Sequence, residues 1–415
     1  MSIFTKTEYH LPFFLPFLLI FSRTLADVTV VLISVLFILK CFYEKKIPFL
    51  NDSWVKSVVF FILYLALLNS ALSINPKDSF VYSLSFIRWP IFSLAMCYWI
   101  FRDEKSFDNF FNSLLIISLI FLLDIWYQFS IDESGIFGFS HNNYINRLSV
   151  PFTNNVIPGR FIGIYSILLC LVYIAKNQFK KDNFNFNNIL LVFLISSISI
   201  FITGERASFI IHFSSILISL FAILIFDKNK FAPIIIFFIL LLLFLMSSIF
   251  INFDIFHRTI ISSFNKITNL ITSDYGEVFL TSYEKWKNNI FFGGGLHQYT
   301  NIEPLFSNGE VWNKTKIPHA HNLPLNLLAE TGMIGLILFY LIIFNLIKLV
   351  FLKLKGHKTY LLTIFSLLIL YINFFPLHTH FKFSHNWINA SSWLCIGIIL
   401  AIINYHEKNT DRKKN

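Results

Sequence analysis

Long apolar runs recur along almost the whole chain, and they constrain the fold more than any other feature of the sequence. Each run has about 20 residues, enough for an α-helix to cross a hydrocarbon core of about 30 Å. Backbone groups find no water inside a bilayer, so only helices or closed barrels can span it. Because the runs are continuous rather than alternating, they predict an all-α transmembrane helical bundle.

We predict about twelve spans. The runs lie near residues 11–23, 26–43, 54–73, 79–101, 110–129, 161–176, 188–204, 206–226, 231–252, 322–347, 359–376 and 386–404. They divide the chain into residues 1–252 with nine spans and a loop near 130–160, a long loop at 253–321, and residues 322–415 with three spans and a basic tail. The first run has no small-residue cleavage site before the next span, so we expect it to be retained.

The positions of the basic residues predict how the chain crosses the membrane. The formal net charge of +10 could indicate a nucleic-acid partner, but the positive-inside rule explains it without nucleic acid. With an internal N-terminus, the basic clusters of the short connections all fall on one face. These clusters contain Lys45, Lys46, Arg102, Lys105, Lys180, Lys181, Lys228, Lys230, Lys353, Lys355, Lys358 and the tail "DRKKN". The C-terminus is then cytoplasmic and both long loops lie outside.

Several classes of protein are not indicated. The four cysteines lie in or at the ends of apolar runs without paired spacing, so neither a disulfide framework nor a zinc knuckle is predicted. The chain lacks a GxxxxGK[ST] motif and a large cytoplasmic domain, which argues against chemistry driven directly by ATP. The loop at 253–321 is too aromatic for a disordered linker, and we expect a small, partly helical external cap.

Three arginines in the outer connections indicate anion binding. Arg206, in "ITGERASF", stands where an outer turn meets the next span, a place that the positive-inside rule disfavours. The alternative is that the Arg206 side chain only extends to the membrane surface, but charged residues near a bilayer core are usually functional. Arg147 and Arg160 bracket a polar outer loop, and guanidinium groups bind phosphate oxygens well. We predict a diphosphate site, with ordinary loop solvation as the alternative. Further candidates in the later loop are Lys285, Lys287 and Arg258.

The stretch that leads into the tenth span predicts a base beside this site. Asn322 is a favourable N-cap and Pro324 suits the first turn, so His321 should stand at a helix N-terminus. The positive end of the helix dipole disfavours imidazolium and so keeps the ring neutral. The same helix end attracts anions. A neutral histidine near a bound phosphate fits a general base for an incoming hydroxyl. A histidine that only caps the helix is the alternative, and His319 is a candidate helper.

The outer histidines do not by themselves predict a metal site. His378, His380 and His385 could join His319 and His321 around zinc, but histidine spacing of this kind is common in short loops and no cysteine accompanies it. We therefore predict no metal.

Other residues predict structural roles. The glycines at 293–295 should form a tight turn, because no strand and no Rossmann-type unit surround them. Arg88 and Asp124 fall at similar depth in the membrane and are predicted to form a buried pair. Gly332 and Gly335 should allow close contact between helices.

The residues from His321 onward resemble the signature of the O-antigen ligase and polymerase superfamily of bacterial inner membranes. The matching pattern is His321, Asn322, nine residues, Gly332, two residues and Gly335. The segments "TGERAS" and "WKNNIFFGGGLHQY" and the polar loop from Arg147 to Asn155 agree with the family in order and spacing. Members often carry an arginine shortly before the tryptophan of the glycine segment, where this chain has Ser282 and Tyr283. We hypothesise that Lys285, Lys287 or Arg258 supplies that charge.

The resemblance implies about twelve spans, a large late periplasmic loop and a glycosyltransferase fold of the GT-C type. It implies transfer of a glycan from undecaprenyl diphosphate on the periplasmic side, without nucleotide sugar, metal or other cofactor. Arg206, Arg147 and Arg160 would hold the diphosphate and His321 would take the acceptor's proton, with inversion at the anomeric carbon. Asn322, His319, Gly332 and Gly335 would support the site.

Three activities are compatible with this resemblance and these residues. An O-antigen ligase transfers the glycan to a sugar hydroxyl of lipid A-core, and the compact chain with one large late loop favours this branch. A polymerase would instead extend another lipid-linked repeat. A secondary transporter or flippase for an anionic substrate such as lipid-linked sugar is less favoured, because inverted repeats are not evident and the polar groups gather at one face rather than at the midplane.

Overall fold

The computed structural model describes residues 14–49, 52–131, 135–137, 147–152, 157–180, 184–269, 273–303, 318–356, 359–376 and 382–411. Within these ranges the regular structure is helical throughout. Eight helices are long and apolar enough to cross a membrane, and three shorter apolar helices accompany them. The predicted all-α polytopic bundle is confirmed. The first apolar run is described from residue 14 and is helical over 14–21.

The helices are numbered here in chain order. They are α1 (Arg23–Glu44), α2 (Ser53–Leu63), α3 (Pro76–Ser85), α4 (Arg88–Ala95), α5 (Glu104–Ile131), α6 (Pro158–Lys180), α7 (Phe186–Ile202), α8 (Arg206–Phe226), α9 (Phe231–Ile251), α10 (Phe253–Phe256), α11 (Ser262–Thr268), α12 (Asp274–Lys287), α13 (Leu323–Lys353), α14 (Tyr360–Phe374) and α15 (Asn386–Asp411). Helices α10 to α12 belong to the predicted cap, which is helical over 253–268 and 274–287 and forms turns and irregular structure over 288–303.

Two helices form the centre of the bundle. The apolar windows of α6 and α15 are each 94 % buried within the protein, whereas that of α9 is only 22 % buried. Helix α6 packs against α5, α7 and α14, and α15 packs against α4. The central position of α6 and α15 matters for the site, because each begins at the end of the bundle that carries the long loops.

Helix α13 is broken at Gly332, and the glycine loop fills the break. Gly332 has φ 66° and ψ −173°, outside the helical region. Two amides beyond the break and two carbonyls before it bond to the loop instead of to the helix. The four hydrogen bonds are Met333 N to Ile290 O (2.9 Å), Ile334 N to Phe291 O (3.3 Å), Gly294 N to Ala329 O (2.9 Å) and Gly295 N to Glu330 O (2.8 Å). The loop therefore satisfies backbone groups that a membrane helix must not leave unpaired.

The contact at the break requires glycine on both sides. A Cβ on Gly332 would lie 2.2 Å from the carbonyl oxygen of Phe291, and one on Gly293 would lie 2.5 Å from the amide nitrogen of Gly332. The prediction that Gly332 packs against another helix is thus wrong, because its neighbour is the loop. Gly335 does face a neighbouring helical segment, since its Cβ would lie 3.1 Å from Cε1 of Tyr64.

The predicted pair between Arg88 and Asp124 is also wrong. Arg88 lies 3.4 Å from the carboxylate of Asp27 and donates to Oδ1 of Asn386 at 2.9 Å. Asp124 accepts from the backbone N–H of Ile136 at 2.6 Å. The apolar runs place the two residues at similar depths, but α4 packs against α1 and α15. Depth in the membrane does not determine which helices are neighbours.

The two ends of the bundle differ in their charged groups. One end, named here the lysine end, contains the basic short connections. Its ion pairs are Lys40 with Glu44, Lys176 and Lys180 with Asp108, Lys230 with Asp227 and Lys353 with Glu407. Lys181, Lys358 and the tail after residue 411 lie outside the described residues. The opposite end, named the loop end, contains the candidate site.

Candidate functional site

The site is organised by the start of α13. The side chain of Asn322 accepts from the N–H of Leu325 at 3.0 Å, which confirms the predicted N-cap. The other side of the same amide donates to the carbonyl of Pro376 at 2.6 Å, at the end of α14. His321 directly before the cap has a left-handed backbone conformation with φ 49°. Such a conformation is uncommon for a residue with a side chain and is enriched at functional positions.

The imidazole of His321 lies between two rings. The ring of His319 is 4.1 Å away, and the ring of Tyr275 in α12 is 6.4 Å away and nearly perpendicular at 86°. Burial lowers the pKa of His321 below its ordinary value. Burial and the neighbouring His321, Lys382 and His385 lower the pKa of His319 to about 3. Both rings are therefore neutral at physiological pH, although burial rather than the helix dipole is the main cause.

Three arginines form a cluster near Tyr275. Arg258 donates from Nε to the carbonyl of Gly204 at 3.0 Å, directly before α8. Burial, Arg147 and Arg206 lower the pKa of Arg258 to about 10, and Tyr275 opposes this shift. Arg258 stays charged at neutral pH, and the three guanidinium groups are close enough to repel one another. We call Arg147, Arg206 and Arg258 the arginine cluster.

Arg160 is held behind this cluster by a buried acid. Glu205 precedes α8 and accepts the backbone N–H of Gly159 at 2.7 Å. Its carboxylate interacts electrostatically with Arg147 and Arg160. Burial raises the pKa of Glu205, and the charge of Arg147 opposes this rise. Arg160 is only 5 % exposed, so it borders the site from inside the protein.

The two predicted lysines of the cap have other partners. Lys285 donates to the carbonyl of Tyr299 at 2.7 Å and lies 4.3 Å above its ring. Burial lowers the pKa of Lys285 to about 8. Lys287 pairs with Glu284 at 2.9 Å. These contacts favour Arg258, rather than Lys285 or Lys287, as the cation that completes the cluster.

Sequence reasoning missed two residues of this region, Tyr275 and Lys382. Tyr275 is one of many aromatic residues of the cap, and Lys382 stands in a short turn in which the histidines are more conspicuous. Lys382 interacts electrostatically with His319 and with the buried carboxylate of Glu330. Neither residue has a local sequence signal, since their importance arises from the packing of α12 and of the turn before α15 against α13.

The described residues contain no group of three histidine, cysteine or acidic side chains that could hold a metal ion. His378 and His380, which completed the zinc alternative, lie outside the described residues, as does Asn155 of the motif loop.

Comparison with known proteins finds one family that part of the chain resembles. Residues 191–340 match a protein-family model described as O-antigen ligase. The matched segment extends from α7 into α13 and contains Arg206, Arg258, Tyr275 and His321. No curated protein matches the chain. The match confirms the resemblance to the O-antigen ligase and polymerase superfamily.

Proposed function

We propose, from the match to the O-antigen ligase family, that this protein is a membrane glycosyltransferase with its active site at the loop end. It transfers O-antigen glycan from undecaprenyl diphosphate to a sugar hydroxyl of lipid A-core, on the periplasmic side of a bacterial inner membrane. The observation that carries the proposal is the placement of a neutral His321 beside Tyr275, next to the arginine cluster. Inversion and independence of metal are parts of the same proposal.

His321 acts as the general base. As the acceptor oxygen forms its bond to the anomeric carbon, the bond from that carbon to the diphosphate oxygen breaks, and the acceptor's proton moves to the imidazole. A positioned base contributes about 10²- to 10⁴-fold to the rate of such a step. Because burial keeps His321 neutral, its ring is in the form that accepts a proton.

The arginine cluster binds the diphosphate. Negative charge develops on the leaving oxygen, and fixed cations aimed at it stabilise the transition state more than the ground state. Arg206 makes no ion pair or side-chain hydrogen bond in the described part of the chain, and its position beside two other cations favours an anionic ligand. Arg258 is oriented by Gly204, which fixes the head of the side chain.

Tyr275 neighbours both the base His321 and Arg258 of the cluster, so it lines the space that the reacting sugar occupies. Its hydroxyl has no hydrogen-bond partner among the described residues, so it can bond to a sugar hydroxyl. The ring offers an apolar face for the sugar's C–H groups. Arg160 supports the cluster through Glu205 without contacting the substrate.

The polymerase remains the second candidate, because the same residues would perform the same bond exchange with a lipid-linked acceptor. A deletion strain separates the two. Loss of a ligase leaves long polymers on the lipid carrier and bare lipid A-core, whereas loss of a polymerase leaves single repeats on the core. Transport of lipid-linked sugar without transfer, measured with purified protein in liposomes, would reject both enzymatic proposals.

A further inference from the structure

Gln128 is a fully buried amide in the last turn of α5, at the loop end, and the proposed chemistry does not use it. Polar side chains buried in membrane helices are costly and usually have a function. The side-chain oxygen of Gln128 accepts two backbone N–H groups, from Ser149 at 3.1 Å and from Val150 at 3.4 Å. These residues follow Arg147 closely in the chain. Gln128 therefore holds the segment that carries one arginine of the cluster.

The same segment is held from another side by the turn 203–206, which joins α7 to α8. Leu148 donates its backbone N–H to the carbonyl of Thr203 at 3.2 Å. The next carbonyl of the turn, that of Gly204, accepts from Nε of Arg258 at 3.0 Å. The turn ends in the third arginine of the cluster. A displacement of the segment away from this turn would therefore separate one arginine from the other two.

The segment is packed as part of the core rather than as a surface loop. Residues 148–150 are buried, and so is Phe152. The ring of Phe152 lies 5.8 Å from that of Phe121 in α5 and 4.8 Å from that of Trp387 in α15. Buried backbone N–H groups need a partner, and an unpaired one costs free energy. The oxygen of Gln128 meets this need at residues 149 and 150, so the position of the segment depends on it.

Arg147 requires a firm support because like charges lie near it. The charges of Arg147 and Arg206 both act on Arg258, and like charges repel one another. The carboxylate of Glu205 attracts Arg147 and offsets part of this repulsion. Gln128 resists the repulsion in another way, since its amide fixes the backbone without adding a negative charge. The guanidinium of Arg147 is then held in place and keeps its charge for a ligand.

We propose that Gln128 is a positioning residue for the donor, which holds Arg147 beside Arg206 and Arg258 so that the three guanidinium groups bind one diphosphate. This inference rests on the proposed function and deepens it, because it makes the geometry of the diphosphate site depend on a residue that does not touch the substrate. Gln128 acts on the donor through Arg147. Removal of Arg147 should therefore remove the effect of Gln128, which a double-mutant cycle detects.

The test measures equilibrium binding of farnesyl diphosphate, a short polyprenyl diphosphate, to the full-length protein in lipid nanodiscs. Gln128→Met removes the acceptor oxygen at nearly constant volume and should raise the Kd about fivefold, because Arg147 is no longer held. Arg147→Ala should raise the Kd about tenfold, since a charge-assisted contact is lost. The double variant should bind like Arg147→Ala alone, because no arginine is left for Gln128 to position.

Trp126→Phe is the matched control. It removes a hydrogen bond that the same helix makes to Oγ of Ser199 in α7, 3.0 Å long, and should leave the Kd within about twofold of the wild type. Gln128→Asn keeps the amide but withdraws it by one methylene. It should give a smaller rise in Kd that is also absent in the Arg147→Ala background, and it replaces Gln128→Met in the cycle if that variant does not fold.

Three results would overturn the positioning role. They are an unchanged Kd in a folded Gln128 variant, a rise that is as large in the Arg147→Ala background as in the wild type, and an equal rise in Trp126→Phe. Wild-type binding by Arg147→Ala would overturn it as well. The proposed function fails on a separate measurement, if wild-type protein binds farnesyl diphosphate but transfers no lipid-linked glycan to lipid A-core. Binding and transfer are measured independently, so the two failures are distinguishable.

Discussion

The two ends of the bundle use their basic residues in opposite ways. At the lysine end, four short connections pair a lysine with an acid of the same chain. At the loop end, Arg206 and Lys382 have no acidic partner in the described part of the chain, and the arginine cluster gathers like charges. Arg88 with Asp27 and Lys287 with Glu284 repeat the pairing of the lysine end.

This difference separates topology from function. A lysine that sets the orientation of the chain in the membrane needs no ligand. Its charge can therefore be paired with an acid of the same protein. Like charges held together cost free energy unless anions offset it. Three arginines beside one buried acid, Glu205, therefore indicate a further anion supplied from outside. Substitutions at the two ends should therefore have very different consequences.

The largest effect is expected at the centre of the loop end. His321→Ala removes the proton acceptor and should lower kcat about 10²- to 10⁴-fold, with little change in the donor KM. Steady-state transfer by purified protein measures both constants. His257→Ala, which removes an exposed histidine that packs against Phe253, should retain activity. A large rise in the donor KM of His321→Ala would redefine this residue as a phosphate ligand.

The next effect tests the unpaired cations directly. Arg206→Ala removes a guanidinium that has no ion-pair partner among the described residues, so the fold should persist while the donor KM rises about 30-fold, equivalent to about 2 kcal/mol. Arg206→Lys should have a donor KM between those of the wild type and Arg206→Ala, because an ammonium keeps the charge but cannot form the two parallel hydrogen bonds of a guanidinium. A donor KM equal to that of the wild type would remove Arg206 from the diphosphate site.

Two glycines with positive φ allow a matched comparison of stability between the ends. Gly332→Ala forces its Cβ to within 2.2 Å of Phe291 O at φ 66°, whereas at Gly356, at the lysine end with φ 130°, the nearest atom would be 3.8 Å away. We expect Gly332→Ala to cost about 2–3 kcal/mol of unfolding free energy and Gly356→Ala about 1 kcal/mol. Unfolding in mild detergent measures both variants. Equal losses would show that steric contact with the glycine loop is unimportant.

The pH dependence should show a smaller effect. Burial lowers the pKa of His321, so the neutral base persists to more acidic pH and is lost only as pH falls through that lowered value. The acid limb of kcat should have its midpoint below about 6.5, the ordinary value for histidine. A pH profile of kcat at saturating substrates measures it, and a midpoint at or above 6.5 would contradict the neutral base.

The smallest effect is expected at the lysine end. Lys353→Gln breaks the exposed pair with Glu407, which is 2.6 Å long. Exposed pairs contribute at most about 1 kcal/mol, so transfer should stay within about twofold of the wild type and the melting temperature should barely move. Loss of activity in this variant would show that the two ends are coupled.

The sequence predicted those features that depend on one segment at a time. Apolar runs predicted the helices, and Asn322 predicted the start of α13 because capping is local. Features that depend on neighbours could not be predicted in this way. Arg88 pairs with Asp27 rather than Asp124, since a run of apolar residues gives depth in the membrane but not the helix that packs beside it.

The candidate site follows the same rule. The resemblance to the family indicated His321 and Arg206, and the unusual outer position of the arginines gave a physical reason for their role. Arg258 could be named only as one of three candidates until its contact with Gly204 was known. Lys382 and Tyr275 could not be found, because their significance comes from α12 and the turn 382–385 meeting α13 in space.

The repair of α13 by residues 290–295 has a consequence for how the protein is made. These residues leave the ribosome before Gly332, so the segment that completes the broken helix is synthesised ahead of the helix itself. Without it, amides at 333 and 334 would enter the lipid unbonded. The glycine loop and the membrane helix must therefore fold together in one cooperative step, and a truncated chain that lacks the loop should fail to assemble.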